Sequence, residues 1–547
     1  MADLVLGPLL RYVSETEATV WVETSEPCEV EVLGRRETSF GVAGHHYALV
    51  RVEDLEPDGF YEYEVALGGE RRWPPRESDL PPSVIRTFSP GKPVDICFGS
   101  CRVALPHEEP YTKSKDEHED GHELDALYVL ARQMIRDDRD EWPELLFLLG
   151  DQVYVDEGSP AVRERIRARR DTSEPPGEEV TDFEEYTWLY HESWRDPLIR
   201  WLFSTVSTSM VWDDHDMSDD WNISRSWHEE MDRKHWWHER AVGGIMSYWI
   251  YQHIGNLSPR ELDDNEVYER VRGNRDATGA LREWARSIDS TAAGTRWSFC
   301  RDVDGVRAIF MDSRAARVLT DERRSMFDDD VWEWIVDHAS GDFDHLLIAT
   351  TVPYLLSPAL HYLEAWNERL CDGAWGGLVA RGSEKLRRAA DFDHWAAFQF
   401  SFRRLRKLLE EVGSGQRGKP PASIVILSGD VHHAYLFDVA FRRDAGVESR
   451  VLQAVCSPYR NPLDEHERRA IRAGFSQPLG ALARGLAHLA GTADPGIRWR
   501  LLEGPCFDNQ VGTLRLDGRE ASVRLDKTVA GEEDEKSLEK TFERRVT

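Results

Sequence analysis

The chain reads as an α/β protein preceded by an all-β domain, and three observations carry that reading. Residues 4–90 hold short stretches of alternating polar and apolar character. From Lys92 onward, apolar runs alternate with long helical or polar segments. Those runs stop in small or metal-competent residues, as expected for open sheets whose chemistry lies beyond the carboxyl ends of their strands. With 547 residues the chain exceeds one ordinary core. The expected division is a β-sandwich at 1–90, a catalytic domain at 91–530 and a charged tail at 531–547 that frays.

In chain order, ATVWVE, CEVEVLG, HYALVRVEDL, FYEYEVAL and SVIRTF are the strands of the first domain. Glu-Pro, Gly and Pro-Asp-Gly punctuate them, which predicts an antiparallel sandwich of fibronectin or immunoglobulin type. Nothing in it has catalytic spacing, so its expected role is structural or docking. The turn-rich triplet Ser89-Pro90-Gly91 marks the boundary.

The main domain is organised around Leu145 to Tyr154, LLFLLGDQVY, a buried strand that runs into Gly150-Asp151 with a tyrosine three positions on. Before it, VDICFGSCR ends in Gly99-Ser100-Cys101-Arg102. After it, STSMVWDDHD ends in Asp213-Asp214-His215-Asp216, and VRAIFMDSR ends in Asp312-Ser313-Arg314. HLLIATTVPY ends in Thr351-Val352-Pro353, SIVILSGDVHHAY carries Gly429-Asp430-Val431-His432-His433, and RVLQAVCSP adds a further strand. A lone aspartate at a strand end is as often a turn residue. Cys, Asp/Tyr, Asp/Asp/His and Asp/His arriving together in order make a constellation.

That donor set suits a two-metal centre. Cations held about 3.5–4 Å apart need a short anionic bridge, and Asp151, after the tight-turning Gly150, is the natural one. Thiolate and phenolate from Cys101 and Tyr154 favour a trivalent iron, while Asp214 and Asp430 suit a harder cation such as calcium, magnesium or manganese. Zinc stays open on ligand type alone.

The formal net charge of -32, from 100 acidic and 68 basic side chains, argues against nucleic acid bound along an extended face. It leaves a phosphate-ester substrate open, because a bound metal reverses the local field. Seven cysteines, odd in number and without a CxxC pair, point to a reducing compartment. The N-terminus shows neither a secretory h-region nor a twin arginine, and no apolar run reaches membrane-span length. A cytoplasmic location is expected.

With these residues in hand, the chain resembles the PhoD-like alkaline phosphatases of the calcineurin-like metallophosphoesterase superfamily. Matching residues are Gly99-Ser100-Cys101, Gly150 to Tyr154, Asp213 to Asp216, Asp312 to Arg314 and Ser428 to Tyr435. The resemblance implies a two-sheet sandwich flanked by helices and a mixed centre of Fe3+ and Ca2+. It carries over Cys101, Asp151, Tyr154 and His432 as ligands of a first metal, and Asp151, Asp214 and Asp430 as ligands of a second. Thr351 stands where the wider superfamily has a histidine, and the neighbouring His433 leaves open which imidazole faces the metal.

The expected reaction is hydrolysis of a phosphate monoester or diester by a metal-bound hydroxide. His215 is the candidate general acid, Asp216 its orienting partner, and Arg102 and Arg314 candidate grips on phosphate oxygens. The alternatives are a metal-dependent hydrolase of another bond, or a non-catalytic metal-binding regulatory protein on the same fold. The charged stretch 157–180 reads as a mobile excursion beside the site. The Trp-rich stretch 221–250 reads as packing, even though His235 and His238 share a ligand-capable spacing.

Overall fold

The computed structural model describes residues 1–291, 296–320, 323–531 and 536–547. The first domain is all-β among these residues. One four-stranded sheet runs Leu4–Val13, Ala18–Thr24, His45–Val52, Phe40–Val42, and a second runs Arg35–Thr38, Glu29–Val32, Val65–Leu67, Glu70–Trp73. Phe60–Glu62 and Val84–Arg86 form a separate pair.

Two larger sheets build the rest. The six-stranded sheet has Ser207–Val211, Leu145–Leu149 and Val94–Gly99 side by side and parallel, extended by the antiparallel strands Gln510–Asp517, Glu520–Val529 and Ser537–Arg545. In the seven-stranded sheet, Val306–Met311, His345–Thr350, Ser423–Ser428 and Arg450–Val455 run parallel in that order. Phe299–Val303 closes one edge, and Ala434–Phe441 with Ile497–Cys506 closes the other. All residues of Leu145–Leu149, Ser207–Val211, His345–Thr350 and Ser423–Ser428 are buried. That is why these segments read as unbroken apolar or small-residue runs and not as alternation. Phe147 of one sheet meets Phe310 of the other edge-on at 4.7 Å, so the two inner faces share a core.

The hairpin turning at Asp517 and Gly518 forms as the sequence suggests, with Asp517 paired to Glu520. The C-terminal segment corrects the expectation of a frayed tail. Ser537–Arg545 pairs antiparallel with Glu520–Val529, and Leu538 and Phe542 pack on the core while charged residues face water. Its run of charges disguised a half-buried edge strand. The 157–180 stretch likewise contains a helix, Pro160–Arg169, capped by Ser159. Arg169 and Arg170 at its end both pair with the buried Glu185, at 2.8 and 2.9 Å.

The N-terminal β region shares one core with the strands and helices that follow it. Arg11 is fully buried and donates to the carbonyls of Tyr251 and Gln252 and to Asn256 Oδ1. Trp21 packs edge-on against Trp194 at 6.5 Å. Of the Trp-rich stretch, Trp221, Trp227, Trp237 and Trp249 are buried, and His238 pairs with Asp289. That stretch is packing. Among the described residues, no helix is long and apolar enough to cross a membrane.

Candidate metal centre

The strand ends meet where the two sheets face each other. The chain takes sharp turns there: Cys101, Asp430 and His432 have φ of +57°, +66° and +52°. Non-glycine residues are uncommon in this region, and such strain clusters at functional sites. Two glycines make the approach feasible. A Cβ on Gly150 would come within 2.9 Å of Asp213 Oδ2, and one on Gly429 within 2.1 Å of Ser100 Oγ.

Asp151 lies at the centre. It is 2% exposed, yet among the described residues its Oδ1 has no hydrogen-bond partner, and neither does Oδ2 of Asp213. Carboxylate oxygens of Asp151, Asp213 and Asp214 lie within 4.8 Å of one another. Burial pushes the Asp151 carboxyl well above the usual carboxylate range; His215 pulls against it, and Asp214, Asp216 and Asp430 add to it. Orphaned oxygens in so crowded an acid cluster fit a cation that the protein itself does not supply.

Around Asp151 the structure gathers Cys101, Tyr154, Asp214, Asp430 and His432. The Cys101 thiol is fully buried, 3.0 Å from Ser100 Oγ and 3.5 Å from the Asp430 carbonyl. Burial, with Asp151 and Asp430 beside it, pushes this thiol well above its ordinary range, so a thiolate here calls for a nearby cation. The Tyr154 hydroxyl accepts from Asn461 Nδ2 at 3.4 Å, and its ring lies 4.7 Å from that of His215. Of the two adjacent histidines, His433 turns away: its Nδ1 donates to the Val431 carbonyl at 2.6 Å and its ring stacks on Phe507. Burial lowers the His432 imidazole to about 3, while Asp430 two residues before it pulls the other way. Thr351 bonds Ser313 through their hydroxyls at 2.8 Å.

Three role expectations need correction. His215 is oriented by Asp156, not by Asp216: His215 Nδ1 donates to Asp156 Oδ1 at 2.9 Å. Asp216 instead accepts from the backbone N–H groups of Gln152, Val153 and Asp213, because its side chain folds back under the loop after Leu145–Leu149. Arg102 spends its fork on Asp125, the N-cap of the helix Ala126–Arg136, and on the Ser193 carbonyl. Arg314 is 2% exposed and lies among four carboxylates: it touches Asp213 and Asp393, reaches Asp430 at 2.7 Å and Asp214 at 3.2 Å. It is the internal counter-charge of the cluster, not a free grip for phosphate.

Sequence reading missed His394. Its Nε2 donates to Asp430 Oδ2 at 3.1 Å and its Nδ1 to Glu364 Oε1 at 2.7 Å, so both Asp430 oxygens have protein cations beside them. His394, Asp393 and Glu364 sit at no strand end, and nothing local singles them out. Asp156, two residues past Tyr154, was within reach of the motif reading.

Among the described residues, the side chains close enough to share a cation here are Asp151, Asp213 and Asp214. Fold and site together define an α/β sandwich with an acid-rich centre at its strand ends. Residues 121–327 match the family model described as PhoD-like phosphatase, and residues 1–85 match a domain of unknown function, DUF7800. The structure described as that of PhoD is similar over 100% of this chain and 92% of its own, with a TM-score of 0.60 at 13% identity. A maltogenic amylase from S. marinus aligns over 96% of this chain and 78% of its own at 10% identity, with a TM-score of 0.15 that carries no argument. No curated protein matches. The match over residues 121–327 is to a PhoD-like phosphatase domain and supports a phosphatase-type hydrolase.

Proposed function

We propose that this protein hydrolyses phosphate esters at a two-cation centre built on Asp151. The observation that carries the reading is the buried Asp151 carboxylate with an unpartnered oxygen, ringed by a thiol, a phenol, an imidazole and further carboxylates. Cys101, Asp151, Tyr154 and His432 would hold Fe3+ and Asp151, Asp214 and Asp430 would hold Ca2+, with Asp213 a further oxygen donor. Zn2+, Mn2+ and Mg2+ are the competing occupants. The bound cations supply Lewis acidity toward water and a phosphoryl oxygen.

The chain's own residues do the rest. His215, held through Nδ1 by Asp156, would deliver a proton to the leaving oxygen from its Nε2, which lies 3.8 Å from Asp219 Oδ1. Arg314 and His394 hold Asp430 from both sides and fix the carboxylates before substrate arrives. Tyr154, packed on His215, limits where that ring can turn.

Hydrolysis of bis-p-nitrophenyl phosphate and p-nitrophenyl phosphate, with metal content measured on the same sample, tests the reading. Turnover of either ester supports it, and full metal occupancy without turnover of either refutes it. Phenolate ligation of Fe3+ by Tyr154 predicts a violet protein that Tyr154→Phe bleaches. An active but colourless, iron-free enzyme removes iron from the proposal.

A further inference from the structure

A second cluster of ligand-type side chains lies at the junction of the two domains. Glu23 sits on Ala18–Thr24 and His45 opens His45–Val52. These strands pair with Glu23 opposite Tyr47, so His45 is the diagonal neighbour of Glu23 on one sheet face. From the catalytic domain, the helix Phe183–Trp194 brings His191 and Glu184, seven residues apart on one helix face.

These side chains converge on Glu23, which is 1% exposed. His45 Nδ1 donates to its Oε1 at 2.9 Å, His191 Nε2 to its Oε2 at 2.8 Å, and the Tyr251 hydroxyl to Oε2 at 3.0 Å. Glu184 Oε2 accepts from His45 Nε2 at 2.9 Å. Donor atoms of Glu23, His45 and His191 all lie within 4.8 Å of one another. Two imidazoles and a carboxylate make a set that zinc accepts, with water commonly as fourth ligand. A carboxylate on the far nitrogen of one histidine is the outer partner such histidines carry. The His45 and His191 side chains keep 18% and 12% exposure, which leaves a route for an ion and a water.

We propose that Glu23, His45 and His191 bind a divalent cation of the zinc class, which staples the β domain to the helix Phe183–Trp194. Nitrogen donors select zinc, nickel or cobalt over calcium and magnesium, which prefer oxygen. The ligand atoms need only open from 2.8–2.9 Å to about 3.3 Å, the separation that tetrahedral bonds of about 2.0–2.1 Å require. His45 donates from both nitrogens without the ion; on binding it releases its Nδ1 proton to solvent and keeps Nε2–H on Glu184. His191 binds as neutral imidazole through Nε2 and carries its proton on Nδ1. One proton leaves per cation bound, so acid weakens the site.

The test uses the full chain, stripped with chelator, re-exposed to Zn2+ and desalted. Asp151→Asn, which disables the strand-end centre, is the background. One zinc per chain more in that background than in the double variants with Glu23→Gln or His191→Gln is expected. A zinc-induced rise in thermal midpoint should vanish in the same double variants. Equal zinc content in all three proteins overturns the proposal. If a substitution unfolds the chain, zinc-edge anomalous scattering from Zn2+-soaked crystals of the unsubstituted protein decides. A peak between Glu23, His45 and His191 supports the site, and none there refutes it.

Discussion

Two buried carboxylates, Asp151 and Glu23, meet opposite fates in this fold. Asp151 is crowded by other acids and keeps an oxygen without a partner. Glu23 has both oxygens satisfied by two imidazoles and a phenol. Burial opposes charge on Glu23, but the hydrogen bonds from His191 and His45 outweigh it and hold its carboxyl below the ordinary range. The difference concerns what stands in for a cation. At Glu23, protons on histidines do so, and a metal must displace one of them. At Asp151 one oxygen has no donor among the described residues, and His215 and Arg314 offset only part of the repulsion among the acids.

Removing the carboxylate proposed to serve both cations gives the largest expected effect. Asp151→Asn should cut kcat on either ester by roughly a thousandfold, the scale of losing a preorganised electrostatic element. Retention of full activity would break the assignment of Asp151, whereas Glu23→Gln should leave kcat near the parent value. Arg314→Ala comes next. It strands buried carboxylates and should cost about 3 kcal/mol in urea unfolding, partly restored by added Mn2+ or Ca2+. An unchanged midpoint without metal would show that Arg314 is not the counter-charge.

His215→Gln should lower kcat about a hundredfold, a typical general-acid contribution. The loss should be larger for phenyl esters than for p-nitrophenyl esters, whose leaving group needs no proton. Asp156→Asn should reproduce that leaving-group dependence in weaker form and Asp216→Asn should not; the reverse pattern would return the orienting role to Asp216.

The smallest effect is one of pH. His361 is fully buried, both its ring nitrogens lack partners among the described residues, and burial lowers its imidazole to about 3. The unfolded chain takes up this proton near pH 6.5 and the folded chain does not. Stability is therefore present above pH 6.5 and falls as the pH drops below it, by at most about 1.4 kcal/mol per pH unit for this group. His361→Gln should flatten the slope of unfolding free energy against pH. An identical slope in the variant would mean that other groups set it.

Much of this was legible in the order of residues. The seven apolar runs of the main domain are strands, and their ends bring Cys101, Asp151, Tyr154, Asp214, Asp430 and His432 to one place. They were readable because a strand buried on both faces prints itself as an apolar run and its donors follow within five residues. Ser537–Arg545 was not, because an edge strand with one wet face looks like a charged tail. The partners of the donors were also hidden: Arg102 and Arg314 look alike as arginines after a strand, and only their neighbours separate a helix clamp from a counter-charge.

Local sequence dictates the strand, the turn and the donor that follows it, since each depends on residues a few positions apart. Which donors share a cation, which histidine turns inward and which carboxylate holds His215 depend on chain segments brought together from afar. His394 reaches Asp430 across 36 residues, Asp156 reaches His215 across 59, and Glu23 meets His191 across 168. No spacing rule operates at such separations, so packing alone sets those pairings.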